Sequence, residues 1–224
     1  MSDVKRAMFV QLAVMGQSLS SPQRIELLDY LAQAERAVEE LAQLSGLSVA
    51  NTSRHLQQLK QAGLVSVRKD GKSRLYTLAS DEVVRLMQQL RHTAQTHLAE
   101  VERLRNTLTP ALHDDTLSQT ALAARLHDDG LIVLDVRPAK EFACGHIVGA
   151  INIDPVQTQS TDDMVKRLRT LPKNKAIVAY CRGPFCVYAY EVVALLRQQG
   201  FNAQRLAEGF PEWKAAGLAF EQTA

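Results

Sequence analysis

With 224 residues, 46% of them hydrophobic and 22% charged, the chain has room for two small soluble domains, each able to bury its own core. No run approaches the roughly 18 apolar residues of a membrane span, and the apolar stretch that follows Lys5 and Arg6 is broken by Gln11 and Gln17, unlike an export signal. Three cysteines, all after residue 140, make no secreted disulfide framework; they fit a reducing cytoplasm, where a cysteine is reactive, metal-binding or buried.

The net charge of +2 conceals a division, because residues 1–110 carry 14 Lys/Arg against 11 Asp/Glu while residues 111–224 carry 12 against 13. Within 48–78, Arg54, Lys60, Arg68, Lys69, Lys72 and Arg74 are opposed by Asp70 alone. Such a patch in a near-neutral protein is either a docking face for a polyanion or a merely solvated face.

In chain order, Arg6–Gln17 is an apolar-rich helix. Ser21-Pro22 reads as an N-cap followed by proline at the first helical position, and Ile25, Leu27, Leu28 and Leu31 form the buried side of the helix it opens. Val38, Leu41 and Leu44 continue at helical spacing until Ser45-Gly46. Ser48 caps a further helix in which Val49, Leu56 and Leu59 face inward. Two alternating stretches, Leu64–Arg68 and Ser73–Leu78, flank Asp70-Gly71, a strong hairpin signal.

Helix, turn, helix, hairpin is the order of a winged helix-turn-helix, whose second helix enters the major groove. Its exposed positions here are Asn51, Thr52, Ser53, Arg54, His55, Gln57 and Gln58; Asn and Gln pair with adenine and Arg with guanine. Arg68, Lys69, Lys72 and Arg74 sit at or near the hairpin tip, within reach of phosphate or the minor groove. A long helix from Asp81 to about Leu108 carries Val84, Met87, Leu90, Leu98, Val101, Leu104 and Leu108.

Thr109-Pro110 breaks that helix, and the polar His113-Asp114-Asp115 follows, which divides the chain into domains 1–110 and 111–224. Beyond, the apolar strands Leu131–Val136 and Ala176–Tyr180 alternate with helices, the rhythm of a parallel α/β sheet covered on both faces. Ligands of such sheets bind at the carboxyl ends of strands. Cys181 stands there, before a helix that begins near Val187, with Arg182, Gly183, Pro184, Phe185 and Cys186 between. Loop amides and a helix N-terminus stabilise a thiolate, and Arg182 adds a positive charge next door. The alternative is a buried structural cysteine.

Two resemblances sharpen this reading. LAQLSGLSVANTSRHLQQLKQAGLVSVRKDGKSRLYTL, above all Ser53–Val65, resembles the helix-turn-helix and wing of the ArsR family of small repressors over about residues 5–108. That resemblance implies a homodimer on a two-fold DNA operator, with the long helix and the first helix supplying the dimer interface; the alternative for the long helix is a packing face within one copy. The chain departs from the family's metal sensors: residues 1–110 hold no cysteine, and of the last-helix zinc pattern His97 and Glu100 are present while Val84 and Leu86 stand where the other ligands belong. Two ligands do not close a tetrahedral site, so no metal is expected, and His92, His97 and His113 read as surface histidines.

LDVRPAKEFACGHIVGAIN and YCRGPFCVYAYEVVALLRQQGFNAQRLAEGFPEWKAAG resemble the two signatures of a rhodanese domain over about 112–220. The resemblance implies that Cys181 accepts a sulfane sulfur as a persulfide, cradled by the amides of the loop that Arg182 and Gly183 open. Asp135, Arg137, Glu141 and His146 fall at recurring family positions and read as supports around that loop. Pro184 lacks an N–H and removes one donor. Cys186 is a possible resolving thiol, able to attack a persulfide on Cys181, or else it packs under the helix; Cys144 reads as a small core residue. A phosphatase-type loop, closed by arginine to clamp an oxyanion, is excluded because Val187 occupies that place.

The expected fold class is thus two domains, a mainly α winged helix-turn-helix and then an α/β rhodanese-like parallel sheet. The expected function is a cytoplasmic DNA-binding regulator that responds to reactive sulfur, with operator DNA, a second copy and a sulfane-sulfur donor (persulfide, polysulfide or thiosulfate) as partners and with no cofactor or membrane. The alternative is a working sulfurtransferase for which the winged helix supplies dimerisation or a DNA tether.

Overall fold

The computed structural model describes residues 2–108, 116–158 and 160–223, and the chain divides into two compact units, Met1–Val84 and Arg85–Ala224. The linker read at Thr109-Pro110 and His113–Asp115 lies outside the described residues.

In the first unit, Ser2 opens α1 (Asp3–Ser18) by accepting from the Lys5 amide. α2 (Pro22–Gln33) starts with proline in its first turn; the Ser21 hydroxyl does not cap it and instead donates to Gln23 Oε1 at 2.8 Å. Leu27, Leu28 and Leu31 are buried as expected. After the two-residue β1 (Arg36–Ala37), α3 (Val38–Ser45) stops at Gly46, whose φ of 67° suits glycine. Ser48 caps α4 (Val49–Gln61) by accepting from the Asn51 amide, and Leu56 and Leu59 are fully buried. Val49 does not face inward: it is 48% exposed, at the first position of the helix, ahead of the turn that packs.

β2 (Val65–Asp70) and β3 (Ser73–Leu78) form the antiparallel wing, and β1 adds a third strand beside β3. Asp70 pairs with Ser73, so the turn residues are Gly71-Lys72, one step beyond the Asp70-Gly71 reading. Gly71 has a φ of 57° and, among the described residues, no non-glycine residue has positive φ, the pattern of a II′ turn with glycine first.

α5 (Asp81–His97) begins in the first unit and continues into the second, where α6 (Ala99–Leu108) follows. The single long helix read from Asp81 onward is therefore two helices meeting at Leu98. Hydrogen bonding persists on both sides of the break, since the Leu98 amide donates to Ala94 and the Leu98 carbonyl accepts from Val101, each at 2.9 Å.

The rest of the second unit runs β4 (Thr116–Leu117), α7 (Gln119–Ala123), β5 (Leu131–Asp135), α8 (Ala139–Cys144), β6 (His146–Ile147), β7 (Ile151–Asn152), α9 (Thr161–Leu168), β8 (Ala176–Tyr180), α10 (Val187–Gln198), β9 (Ala203–Leu206), α11 (Phe210–Ala215) and β10 (Phe220–Glu221). Five strands form a parallel sheet in the order β4-β9-β8-β5-β7, while β6 and β10 make a small antiparallel pair. Alternation along the strands builds two cores. Ile132, Leu134, Ile177 and Ala179 pack on one face with Leu168 and Leu196; Val133, Val178 and Tyr180 pack on the other with Leu122, Phe210 and Trp213. Both faces of β5 and β8 are covered, which is why those strands read as unbroken apolar runs.

Candidate DNA-facing surface and thiol loop

On α4, Asn51, Arg54 and Gln57 are exposed, and Ser53, His55 and Gln58 are half-buried. Thr52 is a correction: it is fully buried, and its hydroxyl donates back to the Ser48 carbonyl at 3.0 Å. Counted from the cap, Thr52 falls on the same side as Leu56 and Leu59, so it packs instead of reaching outward. Gln58 accepts from Arg24 Nη1 at 2.9 Å, which ties α4 to the start of α2. The His55 pKa is lowered by partial burial and then by the positive charges of Arg24 and Arg54, and its Nδ1 has no hydrogen-bond partner. Arg24 was not singled out from sequence; the signal for it would have been a cation just inside α2, two helices before α4.

On the wing, Lys69, Lys72 and Arg74 are exposed. Arg68 is exposed too, but its guanidinium is held by Glu35 through Nε at 2.7 Å and Nη2 at 2.5 Å. Its charge is therefore largely balanced within the unit, and the outward field of the wing rests on the other three.

The thiol loop lies at the carboxyl end of β8, the central strand. Cys181 is 2% exposed, and its sulfur is joined to that of Cys186 in a disulfide with Cα atoms 6.2 Å apart. Cys186 occupies the N-cap position of α10. The intervening Arg182, Gly183 and Pro184 are half-buried and Phe185 is exposed. The Cys186 amide donates to the Gly183 carbonyl at 3.1 Å, so that donor, together with the one Pro184 lacks, does not point into the loop. Tyr190 donates its hydroxyl to the Pro184 carbonyl at 3.1 Å and holds the turn from below.

Buried charges brace the loop in pairs. Arg182 Nε and Nη2 donate to the Glu141 carboxylate at 2.6–3.1 Å, and Glu141 is fully buried. Sequence reading placed the Arg182 charge beside the thiol; the structure shows it engaged by that carboxylate. Arg137, also fully buried, forms a bidentate pair with Asp135 and donates to the Gly145 carbonyl at 2.7 Å. Burial opposes the Arg137 charge, but Asp135 more than offsets it and the pKa is raised. Burial, then Asp135, pushes the Tyr180 phenol well above its ordinary range, so it stays neutral and accepts from the Ile147 amide at 3.1 Å. His146, 5% exposed, lies against the Phe142 ring. Cys144 is exposed and does not belong to the core.

Gly209 was missed as a site residue. A β-carbon there would overlap the Arg182 carbonyl, and its amide donates to Glu212 Oε2 at 3.1 Å as α11 begins. The Phe210 amide then donates to the Cys181 carbonyl at 3.3 Å. The available signal was the Gly-Phe-Pro-Glu-Trp run, a glycine just before proline at a helix start. Among the described residues no group of three or more His, Cys, Asp or Glu is arranged to hold a metal ion, and no helix is long and apolar enough to cross a membrane.

A basic winged helix in one unit, and in the other a cysteine ending the central strand of a parallel sheet, define an arsR-type regulatory domain joined to a rhodanese-like domain. Residues 21–67 match the bacterial regulatory protein, arsR family, and residues 118–216 match the Rhodanese-like domain. The HTH-type transcriptional regulator Rv0324 of Mycobacterium tuberculosis is 37% identical over 223 residues, spanning 100% of this chain and 96% of the relative. The chain therefore belongs to the arsR-type HTH transcriptional regulators, and it carries a rhodanese-like domain behind the winged helix. The tRNA uridine(34) hydroxylase of Staphylococcus aureus is 30% identical over 96 residues, 43% of this chain and 27% of that protein. A homodimeric winged helix-turn-helix DNA-binding domain from Mycobacterium bovis is 40% identical and covers 44% of this chain and 91% of its own length, with a TM-score of 0.42.

Proposed function

We propose that this transcriptional regulator responds to reactive sulfur species through Cys181 and Cys186. The observation that carries the reading is the placement of both sulfurs within bonding distance at the end of the central strand, across a loop braced by buried ion pairs. The chemistry balances without a cofactor. The Cys181 thiolate attacks the sulfane sulfur of a donor persulfide, the donor leaves as a thiol, and Cys181 becomes a persulfide. The Cys186 thiolate then attacks the Cys181 sulfur, a disulfide forms, and hydrosulfide departs. A dithiol returns both residues to thiols.

The regulator acts as a cytoplasmic homodimer on double-stranded DNA, with Asn51, Ser53, Arg54, His55 and Gln57 toward bases and Lys69, Lys72 and Arg74 toward phosphate. Dimerisation is supported by α1, whose Val4, Met8, Phe9, Val10 and Leu12 are 51–67% exposed, more apolar surface than one helix normally leaves in water. Oxidation of the thiol pair alters DNA affinity only to the extent that it favours one conformation over another.

The test is binding of the full-length protein to its own upstream DNA, reduced and after a persulfide donor. A change in affinity that a dithiol reverses, and that Cys181→Ser abolishes, supports the reading. Affinity that ignores the donor rejects it in favour of a sulfurtransferase tethered to DNA. Cys186→Ser separates the roles: it should impair the response more than sulfur uptake, and a normal response would end the resolving role.

A further inference from the structure

The second unit contains a cavity of about 580 Å³ that the thiol chemistry does not use. Its walls come from α5 and α6, from the segment that follows β9, and from the thiol loop at Pro184. Four arginines line it, Arg85, Arg91, Arg105 and Arg205, against two carboxylates, Glu208 and Glu212. Both carboxylates are already engaged, and of the arginines Arg105 pairs with Glu102 while Arg85 donates to the Ala215 carbonyl. Glu212 binds Arg91 and accepts from the Gly209 amide; Glu208 accepts from the Gln119 amide at 3.2 Å, and burial raises its pKa.

Arg205 is the least expected of the four. It is 8% exposed, its guanidinium lies 4.4 Å from the Tyr190 ring centroid, and its Nη1 donates to the Leu206 and Ala207 carbonyls. Its Nε has no hydrogen-bond partner. Keeping a guanidinium out of water costs several kcal/mol unless an anion or a full set of acceptors compensates, and here the set is incomplete. The other wall offers Gln88 and Gln95, neutral donors that suit an anion's oxygens.

We propose that this cavity binds a small organic polyanion, a molecule with two or more carboxylate or phosphate groups held by guanidinium forks. The volume lies in the range of small-molecule sites and exceeds what one inorganic ion fills, while the spread of arginines over separate walls calls for more than one anionic group. Tyr190 connects the site to the thiol loop, because its ring lies under Arg205 and its hydroxyl holds Pro184. The proposal stands apart from the sulfur response, since binding needs no thiol.

The experiment is calorimetric titration of the reduced full-length protein with citrate and, separately, fructose 1,6-bisphosphate, each against chloride at matched ionic strength. Saturable binding of one molecule per chain by either is expected, and the stronger of the two identifies the carboxylate or phosphate source. Gln88→Glu and Gln95→Glu keep shape and add only charge, so each should weaken binding by about tenfold. Glu208→Gln should tighten it, and Cys181→Ser should leave it unchanged. No binding by either probe above the chloride control overturns the proposal; so does undiminished binding in both glutamate variants. Loss of binding in Cys181→Ser also overturns it, because it would place the probe at the thiol.

Discussion

The surface proposed to face DNA and the loop that carries the thiol use charge in opposite ways. On α4 and the wing, Arg54, Lys69, Lys72 and Arg74 are exposed and lie within one stretch of chain. Around the thiol loop, Asp135, Arg137, Glu141 and Arg182 are gathered from β5, α8 and the end of β8, all buried but the half-buried Arg182, and matched carboxylate to guanidinium. Exposed charges act nearly independently and are screened by salt. Buried pairs act as units, because removing one member strands the other in a medium that cannot solvate it. The first surface should therefore fail gradually and the second abruptly.

The largest effect is expected at Arg137. Arg137→Leu removes a guanidinium from contact with the buried Asp135 carboxylate, and loss of one member of such a pair typically costs about 3–5 kcal/mol. The single tryptophan, Trp213, lies fully buried in the second unit, so urea unfolding followed by its fluorescence reads that unit directly. A cost below about 1 kcal/mol would place Arg137 with the surface charges and erase the contrast. Gly209→Ala comes next: its new β-carbon collides with the Arg182 carbonyl, and overpacking of this kind costs about 1–3 kcal/mol. Because that carbonyl follows Cys181 directly, the rate of Cys181 alkylation in the reduced protein should shift as well. An unchanged rate would show that the loop does not depend on this close approach.

The same contrast explains what could be read beforehand. The winged helix depends on caps, glycines and alternation within 48–78, all local in sequence, and its elements appeared where the pattern put them. The errors there were small: the turn lies at Gly71-Lys72, one step beyond the reading, and Thr52 and Val49 each sit at a helix start, where position along the turn decides burial. The two apolar strands and Cys181 were also legible, because a parallel strand covered on both faces leaves an unbroken apolar run. The short strands β1, β4, β6, β7 and β10, of two residues each, carry too few side chains to show a period. The bracing of the loop was not legible either. Glu141 and Arg182 lie 41 residues apart, and nothing local to Arg182 reveals that its charge is engaged by a carboxylate instead of being offered to the thiol. Gly209 belongs to the same class, since the backbone it must not touch lies in another segment.

On the exposed side the expected effects are smaller and additive. Arg54→Ala should reduce discrimination between operator and unrelated DNA by about 1–3 kcal/mol, if its guanidinium reaches a base edge. Lys69→Ala should weaken both alike and lower the slope of log affinity against log salt by about 1. Binding curves at several salt concentrations separate the two outcomes. Indifference to both substitutions would remove α4 and the wing from the interface.

The smallest effect concerns His55, which lies between the two regimes, half-buried on α4. Its pKa is held below the ordinary 6.5 by burial and by Arg24 and Arg54, so the folded protein resists a proton that the unfolded chain accepts. As pH falls through 6.5 the unfolded state gains the proton first, and stability declines until the folded pKa is reached; above 6.5 both states are neutral and the contribution vanishes. His55→Gln should flatten this part of the stability profile below pH 6.5 without touching the plateau above it. Thermal unfolding of the parent and the variant across that window decides the matter. If the two curves stay parallel, Arg24 and Arg54 do not repel a proton on His55, and the crowding of positive charge on this face is weaker than its geometry indicates. If they converge as pH rises, the folded helix keeps His55 in its neutral form, as its partial burial and the neighbouring Arg24 and Arg54 require.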